Sequence, residues 1–232
     1  MVPAAPVATT AKPRLALFDL DHTLLSGDSD VLWCDFLMQR GVLERAVFAP
    51  RNEAMERDYR AGSVSPQAFS SFYVSTLAGR TPEQWQPLRE AFVAEIIAPR
   101  LPASAHQLVQ RHQAQGDLVV LTTATNRFIT ELTARHLGIE ALIATECEIG
   151  SEGRFTGNTV GVLNMREGKV RRLVAFLAAR GQTLAAFEST AYSDSANDLP
   201  LLQAVDHAVA VDPDARLREV AEAARWPILT LR

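Results

Sequence analysis

An apolar run, Leu15-Ala16-Leu17-Phe18, opens into two carboxylates, Asp19 and Asp21, with only Leu20 between them. Residues spaced i, i+2 on an extended chain point to the same side, so a strand continuing through this stretch brings two like charges together. Adjacent carboxylates repel and raise one another's pKa, and a buried strand tolerates such a pair only where a cation or a reaction uses it. The plain alternative is an Asp-rich turn after a strand, because Asp also starts turns and caps helices. Either way the run must enter a core while its end emerges where charge is accepted.

A chain of 232 residues has room for an α/β domain of about 150 residues plus a smaller insert. A net charge of −4 gives no general attraction to nucleic acid or anionic lipid, and Trp33, Trp85 and Trp226 have no basic stripe beside them. Cys34 and Cys147 lie in no metal-ligand spacing and are expected as thiols in a reduced compartment. Residues 1–13, rich in Ala, Pro and Thr, have neither the basic start nor the apolar core of a secretory signal and are expected as a loose tail. No run approaches the roughly 20 apolar residues of a bilayer span. A cytoplasmic location without nucleic-acid or membrane partners is therefore expected.

Residues 24–30 read as a loop containing Gly27. From residue 31 to about 100 the periodicity is helical without a convincing strand, with start signals at Ser65-Pro66 and Thr81-Pro82. The second half alternates. Helices are expected at 103–115, 127–137, 169–180, 199–204 and 214–225, several ended by Gly. Strands are expected at 118–122, 142–145, 187–193 and 208–211, with a Gly-rich hairpin at 146–162 and a closing edge at 227–231. This rhythm predicts a doubly wound parallel α/β sheet carrying a helical insert after its first strand.

In such sheets ligands bind beyond the carboxyl ends of the strands. Three ends carry polar residues: Asp19, Asp21 and Thr23; Thr122, Thr123, Ala124, Thr125 and Asn126; and Ser193, Asp194, Ser195, Ala196, Asn197 and Asp198, with Lys169 starting a helix between the last two. Acids, hydroxyls, an amide and an ammonium suit phosphoryl transfer. A phosphomonoester dianion needs its charge neutralised, which Mg²⁺ on hard carboxylate oxygens and a lysine supply. Asp19 is the expected nucleophile, forming an aspartyl-phosphate, and Asp21 the expected acid and base. Asp194 completes the expected metal site, Thr123 and Lys169 hold phosphate oxygens, and Asn197 and Asp198 position ligands. Taken singly, Lys169 also reads as a solvated surface lysine, and 194–198 as a capped turn. His22 is expected at most to line the site, and the other four histidines to be structural.

With these residues assembled, the chain resembles the haloacid dehalogenase superfamily of phosphohydrolases over residues 15–211. The resemblance rests on Asp19-Leu20-Asp21-His22-Thr23, Thr123 after an apolar strand, Lys169, and Asp194-Ser195-Ala196-Asn197-Asp198. It implies a Rossmann-like catalytic core at 14–27 and 101–232 and a helical cap at 28–100, similar to the branch containing phosphoserine phosphatase. It also implies Mg²⁺ bound by the Asp19 and Asp194 side chains and the Asp21 main-chain carbonyl, with Thr23 and Asp198 behind them and Asn197 near the phosphate.

Departures from phosphoserine phosphatase bear on the substrate. Asp28, joined by Asp30, stands where that enzyme has a glutamate facing the substrate amine, so both are expected to bind substrate. The arginine its cap offers to the substrate carboxylate has no counterpart in residues 61–79, which hold no Arg or Lys. Ala124-Thr125 replaces its Gly-Gly, and Ser193 its glycine. An amine without a carboxylate fits better, and among small phosphomonoesters histidinol phosphate is the preferred expectation. Phosphoserine hydrolysis, a non-hydrolytic phosphotransferase and a phosphoacceptor signalling domain stay open as alternatives, as does oligomeric state.

Overall fold

Every residue of β1 (Arg14–Phe18) after Arg14 is buried, the signature of a strand covered on both faces. Ala16 and Phe18 enter one apolar cluster and Leu15 and Leu17 another, the alternation a pleated strand requires. The computed structural model describes residues 12–232, so most of the tail expected at 1–13 lies outside the described residues.

After β1 come four helices: α1 (Ser29–Gln39), α2 (Arg45–Arg60), α3 (Pro66–Ser75) and α4 (Pro82–Phe92). Ser65 caps α3 by accepting from the Ala68 amide at 3.1 Å. Thr81 and Gln84 cap α4 reciprocally, with Pro82 in the first turn. A π turn at Val93–Ile97 and a 3₁₀ turn at Ala98–Arg100 lead out of α4. Trp33 and Phe36 of α1 and Trp85 and Phe92 of α4 share the large cluster with the sheet. Phe69, Phe72 and Tyr73 of α3 build a separate cluster with Val31, Cys34 and Met165. The inserted helices thus divide between the sheet's core and a small core of their own.

The remainder follows as α5 (Ala103–Ala114), β2 (Leu118–Asn126), α6 (Arg127–His136), β3 (Ala141–Ile149), β4 (Phe155–Val160), α7 (Glu167–Ala178), β5 (Glu188–Ser193), α8 (Leu199–Leu202), β6 (His207–Val211), α9 (Ala215–Ala224) and β7 (Ile228–Leu229). The seven strands among the described residues run in the order β4-β3-β2-β1-β5-β6-β7. All neighbours pair in parallel except β3 and β4, the expected hairpin. β1 lies between β2 and β5, with Phe18 opposite Leu121 on one side and Tyr192 on the other. This register brings the three polar strand ends to one edge.

Two local expectations change. β2 does not stop at Thr122 but runs to Asn126 through a register shift against β3 after Thr123. Asn126 then caps α6 by accepting from the Ile129 amide at 3.1 Å. The first inserted helix begins at Ser29 rather than 31, because Asp28 caps it.

Candidate active site

Asp19 follows the last residue of β1, its amide donating to the Tyr192 carbonyl at 3.0 Å. Its Oδ1 accepts from Lys169 Nζ at 2.6 Å, and its Oδ2 lies 3.1 Å from the Thr23 hydroxyl. The same ammonium donates to Asp198 Oδ2 at 2.6 Å, and Ser193 Oγ donates to that oxygen at 2.7 Å. Thr23 Oγ1 is 3.0 Å from Asp194 Oδ1 and accepts from the Asp194 amide at 3.0 Å, tying the first strand end to the third. Its single proton serves Asp19 or Asp194, one at a time.

A tight loop presents Thr23. The amides of Thr23, Leu24 and Leu25 all donate to the Leu20 carbonyl, and His22 takes a left-handed φ of 57° while its amide donates to the Gly27 carbonyl. The chain thus turns after Leu20, at Asp21-His22, and Asp19 and Asp21 border the same cavity while taking different hydrogen-bond partners. Asp21 Oδ1 accepts from the Ser29 amide at 2.7 Å, and its Oδ2 from the hydroxyls of Thr123 at 3.1 Å and Thr125 at 2.9 Å. The turn sends one carboxylate toward α7 and the other toward β2 and α1.

Lys169 reaches the site from the first turn of α7. Gly168 makes this approach possible: a Cβ there would stand 2.0 Å from the Leu163 carbonyl oxygen. Asn164 braces the same turn, its Nδ2 donating to Thr122 Oγ1 and to the carbonyls of Thr123 and Ile143.

Burial sets the electrostatics. It pushes the Asp19 carboxyl up to about 7, with Lys169 pulling it down and Asp198 and Asp21 adding to the rise. Burial, then the Asp19 and Asp198 charges, raise Asp194. Burial disfavours the Lys169 ammonium, but Asp19 and Asp198 outweigh it and hold its pKa above the usual lysine value. Carboxylates so perturbed favour a bound cation, and Asp19 and Asp194, joined through Thr23, offer the hard oxygens Mg²⁺ prefers. No three carboxylate, thiol or imidazole side chains among the described residues group as a metal cage. The third ligand implied by the resemblance, the Asp21 main-chain carbonyl, is not a side chain.

A cavity of about 330 Å³ opens above these groups, lined by Asp19, Asp21, Asp194, Asn197 and Asp198. Thr123, Thr23 and Lys169 are buried beneath it. Asp28 lines the cavity, but its Oδ1 caps α1, accepting from the Asp30 and Val31 amides at 2.9 and 3.1 Å. Asp30 is 2% exposed, is not among the lining residues, and accepts from Asn126 Nδ2 at 3.5 Å. Seven lining residues were not anticipated: Glu56 and Tyr59 of α2, Phe69 of α3, Asp212, Pro213 and Asp214 after β6, and Arg232, whose guanidinium donates to the His22 carbonyl. The helical periodicity of 42–59 and 65–77 marks apolar faces but not which residues overhang a sheet edge. Thr125 was legible beside Thr123, and only the strand extension shows that its hydroxyl holds Asp21.

The profile of the haloacid dehalogenase-like hydrolases matches residues 16–203, from the Asp19 strand past Asp198. A histidinol-phosphatase of Neisseria meningitidis serogroup C is 41% identical over 94% of this chain and 99% of its own length. A phosphoserine phosphatase of Mycobacterium tuberculosis is 33% identical over 98% of this chain and 77% of its own length. Among solved structures, a protein of unknown function from Bordetella pertussis Tohama I superposes with a TM-score of 0.91 at 42% identity, covering 96% of this chain and 100% of that one. A phospho-aspartyl intermediate analogue of phosphoserine phosphatase shares the fold at a TM-score of 0.68 and 18% identity, covering 95% and 94%. The profile spans all three polar strand ends and the lysine between them, and the chain belongs to the haloacid dehalogenase-like hydrolase family, as one of its phosphatases.

Proposed function

We propose that the protein is a Mg²⁺-dependent phosphatase that hydrolyses a small phosphomonoester through an aspartyl-phosphate on Asp19, with histidinol phosphate as the preferred substrate. The observation that carries the chemistry is the buried Asp19-Lys169-Asp198 contact, with Asp194 joined to Asp19 through Thr23. A bound Mg²⁺, held by Asp19, Asp194 and the Asp21 carbonyl, supplies charge neutralisation for the phosphate oxygens.

Asp19 attacks phosphorus and the ester P–O bond breaks. Asp21 gives its proton to the departing alkoxide, then takes one from the water that attacks the phosphoryl group and returns Asp19 to a carboxylate. The partners of Asp21 suit both states, because the Thr123 and Thr125 hydroxyls donate to the ionised carboxylate and can accept from the protonated one. Lys169 and Thr123 stabilise the phosphate, Asn197 borders it, and Asp198 fixes Lys169.

The choice of substrate rests on charge. Most ionisable groups around the cavity are carboxylates, and Arg232 is the lone Lys or Arg among its described lining residues. That favours an alcohol carrying a cation. The 41%-identical relative bears the name histidinol-phosphatase, in keeping with this reading. No helix among the described residues is long and apolar enough to cross a membrane, and a cytoplasmic location belongs to the same proposal. Phosphate release from histidinol phosphate, phosphoserine and phosphocholine with Mg²⁺ tests it. Fastest turnover is expected on histidinol phosphate, and faster turnover on phosphoserine would reverse the preference.

A further inference from the structure

Asn164, in the turn between β4 and α7, is fully buried. Its Nδ2 donates to the Thr123 and Ile143 carbonyls at 2.9 Å each and to Thr122 Oγ1 at 3.0 Å, two N–H groups serving three acceptors. Carbonyls only accept, so these contacts fix which end of the amide faces the strands. The other end, Oδ1, is buried with no hydrogen-bond partner among the described residues. An acceptor buried in that way costs free energy, so the amide stands there for its donors. The bonds fall where β2 runs out of sheet partners. β1 pairs with β2 as far as Leu121, and against β3 the last regular pair is Thr123 with Ala144, the next being Asn126 with Thr145. Ala124 and Thr125 therefore have no ladder partner on either side among the described residues. Yet Thr125 Oγ1 donates to Asp21 Oδ2 at 2.9 Å while accepting from Ser29 Oγ at 3.1 Å. Thr123 Oγ1, itself accepting from the Thr125 amide at 3.1 Å, donates to the same Asp21 oxygen at 3.1 Å.

We propose that Asn164 is a positioning residue for Asp21: by tying the end of β2 to β3, it holds the Thr123 and Thr125 hydroxyls where they aim the Asp21 carboxyl at the leaving oxygen. This rests on the phosphatase reading above, in which Asp21 gives its proton to the departing alkoxide, and extends it to what directs that proton. Asn164 touches neither Asp21 nor the cavity, and acts through the strand. Its clamp is needed there because two residues of β2 leave the ladder just before the chain enters α6, and a bulge beside a site re-aims the side chains it carries. Every side-chain bond of Asn164 goes to β2 or β3 and none to α7, and Lys169 is held separately by Asp19 and Asp198. Loss of the clamp therefore loosens the proton donor and spares the phosphate-binding ammonium. The consequence depends on the leaving group. When the Asp19–phosphorus bond forms and the ester P–O bond breaks, an alkoxide must take the Asp21 proton, whereas a nitrophenolate departs without one.

The experiment measures kcat/KM, which reports the phosphorylation of Asp19, for an alkyl ester, histidinol phosphate, and an aryl ester, p-nitrophenyl phosphate. The proteins are the wild type, Asn164→Leu, which keeps the volume and removes both donors, and Asn164→Ser, which keeps one donor but cannot span both strands. Thermal unfolding shows which variants fold, and Asn164→Ser carries the test if Asn164→Leu does not. In each folded variant kcat/KM is expected to fall roughly tenfold or more on histidinol phosphate and less than about threefold on p-nitrophenyl phosphate. A merely structural role would not separate the two esters. An equal loss on both, or no loss on either, would overturn the positioning role while leaving the phosphatase reading intact. Failure of both variants to fold would also overturn it, by making Asn164 a requirement of the fold. A wild type that hydrolyses neither ester would remove the phosphatase reading, and the proposal with it.

Discussion

Lys169 Nζ stands 2.6 Å from Asp19 Oδ1 and 2.6 Å from Asp198 Oδ2, and all three side chains are buried. One ammonium bridges two acids that arrive from different strand ends. Removing it leaves two carboxylates facing each other in low dielectric, where breaking a buried pair costs about 3–5 kcal/mol. Lys169→Met is expected to lose roughly that much stability in denaturant unfolding without added metal, and to lose turnover. A stability change within about 0.5 kcal/mol would show that the bridge is not what holds the acids together.

Asp19→Asn keeps the shape and a carbonyl oxygen for Thr23 but cannot form the acyl phosphate. Hydrolysis is expected to vanish with the fold retained by circular dichroism. Asp21→Asn removes one group that serves both half-reactions, and kcat is expected to fall roughly 10²–10⁴-fold. Near wild-type turnover in either variant would refute its assigned role.

Gly168→Ala introduces a methyl 2.0 Å from the Leu163 carbonyl oxygen, a backbone atom that cannot rotate away. The turn must shift and carry Lys169 with it. A stability loss of about 1–3 kcal/mol is expected, with a larger proportional loss of kcat. Normal kinetics in the variant would show that the turn is slack.

Asp28 gives a pH-dependent outcome. Burial first, then the nearby Asp21 and Glu56 carboxylates, push its carboxyl up to about 8, while its cap bonds pull the other way. An acid whose pKa is higher folded than unfolded favours folding when protonated. That contribution is complete below about pH 4 and is lost as pH rises toward 8. Asn caps the helix equally well and carries no charge. The Tm of Asp28→Asn, measured without metal or substrate, is expected to match the wild type near pH 4 and to exceed it increasingly up to pH 8. The gain is about 2–4 °C per kcal/mol for a chain of this size. A constant difference across pH would show that Asp28 does not titrate in this window.

Chelation should separate metal from fold. EDTA is expected to stop turnover, and added Mg²⁺ to raise Tm, by about 2.7 kcal/mol of stabilisation at 100 times its Kd. Undiminished turnover in EDTA would remove Mg²⁺ from the mechanism.

The local sequence alone carried the alternation of strands and helices, the apolar run before Asp19 and the polar residues after each strand, because a parallel sheet covered on both faces needs continuous apolar strands with polarity only at their ends. It also marked the caps at Ser65 and Thr81, whose hydroxyls answer amides three residues on. It could not show which groups each of Asp19 and Asp21 meets, since spacing predicts a shared side but not what other segments bring there. The tertiary structure decided their partners, Lys169 for Asp19 and Ser29, Thr123 and Thr125 for Asp21. It alone placed Glu56, Tyr59, Phe69 and Arg232 around one cavity. Their meeting depends on how helices and the end of the chain pack over a sheet edge, and no local pattern encodes a contact between residues so far apart along the chain.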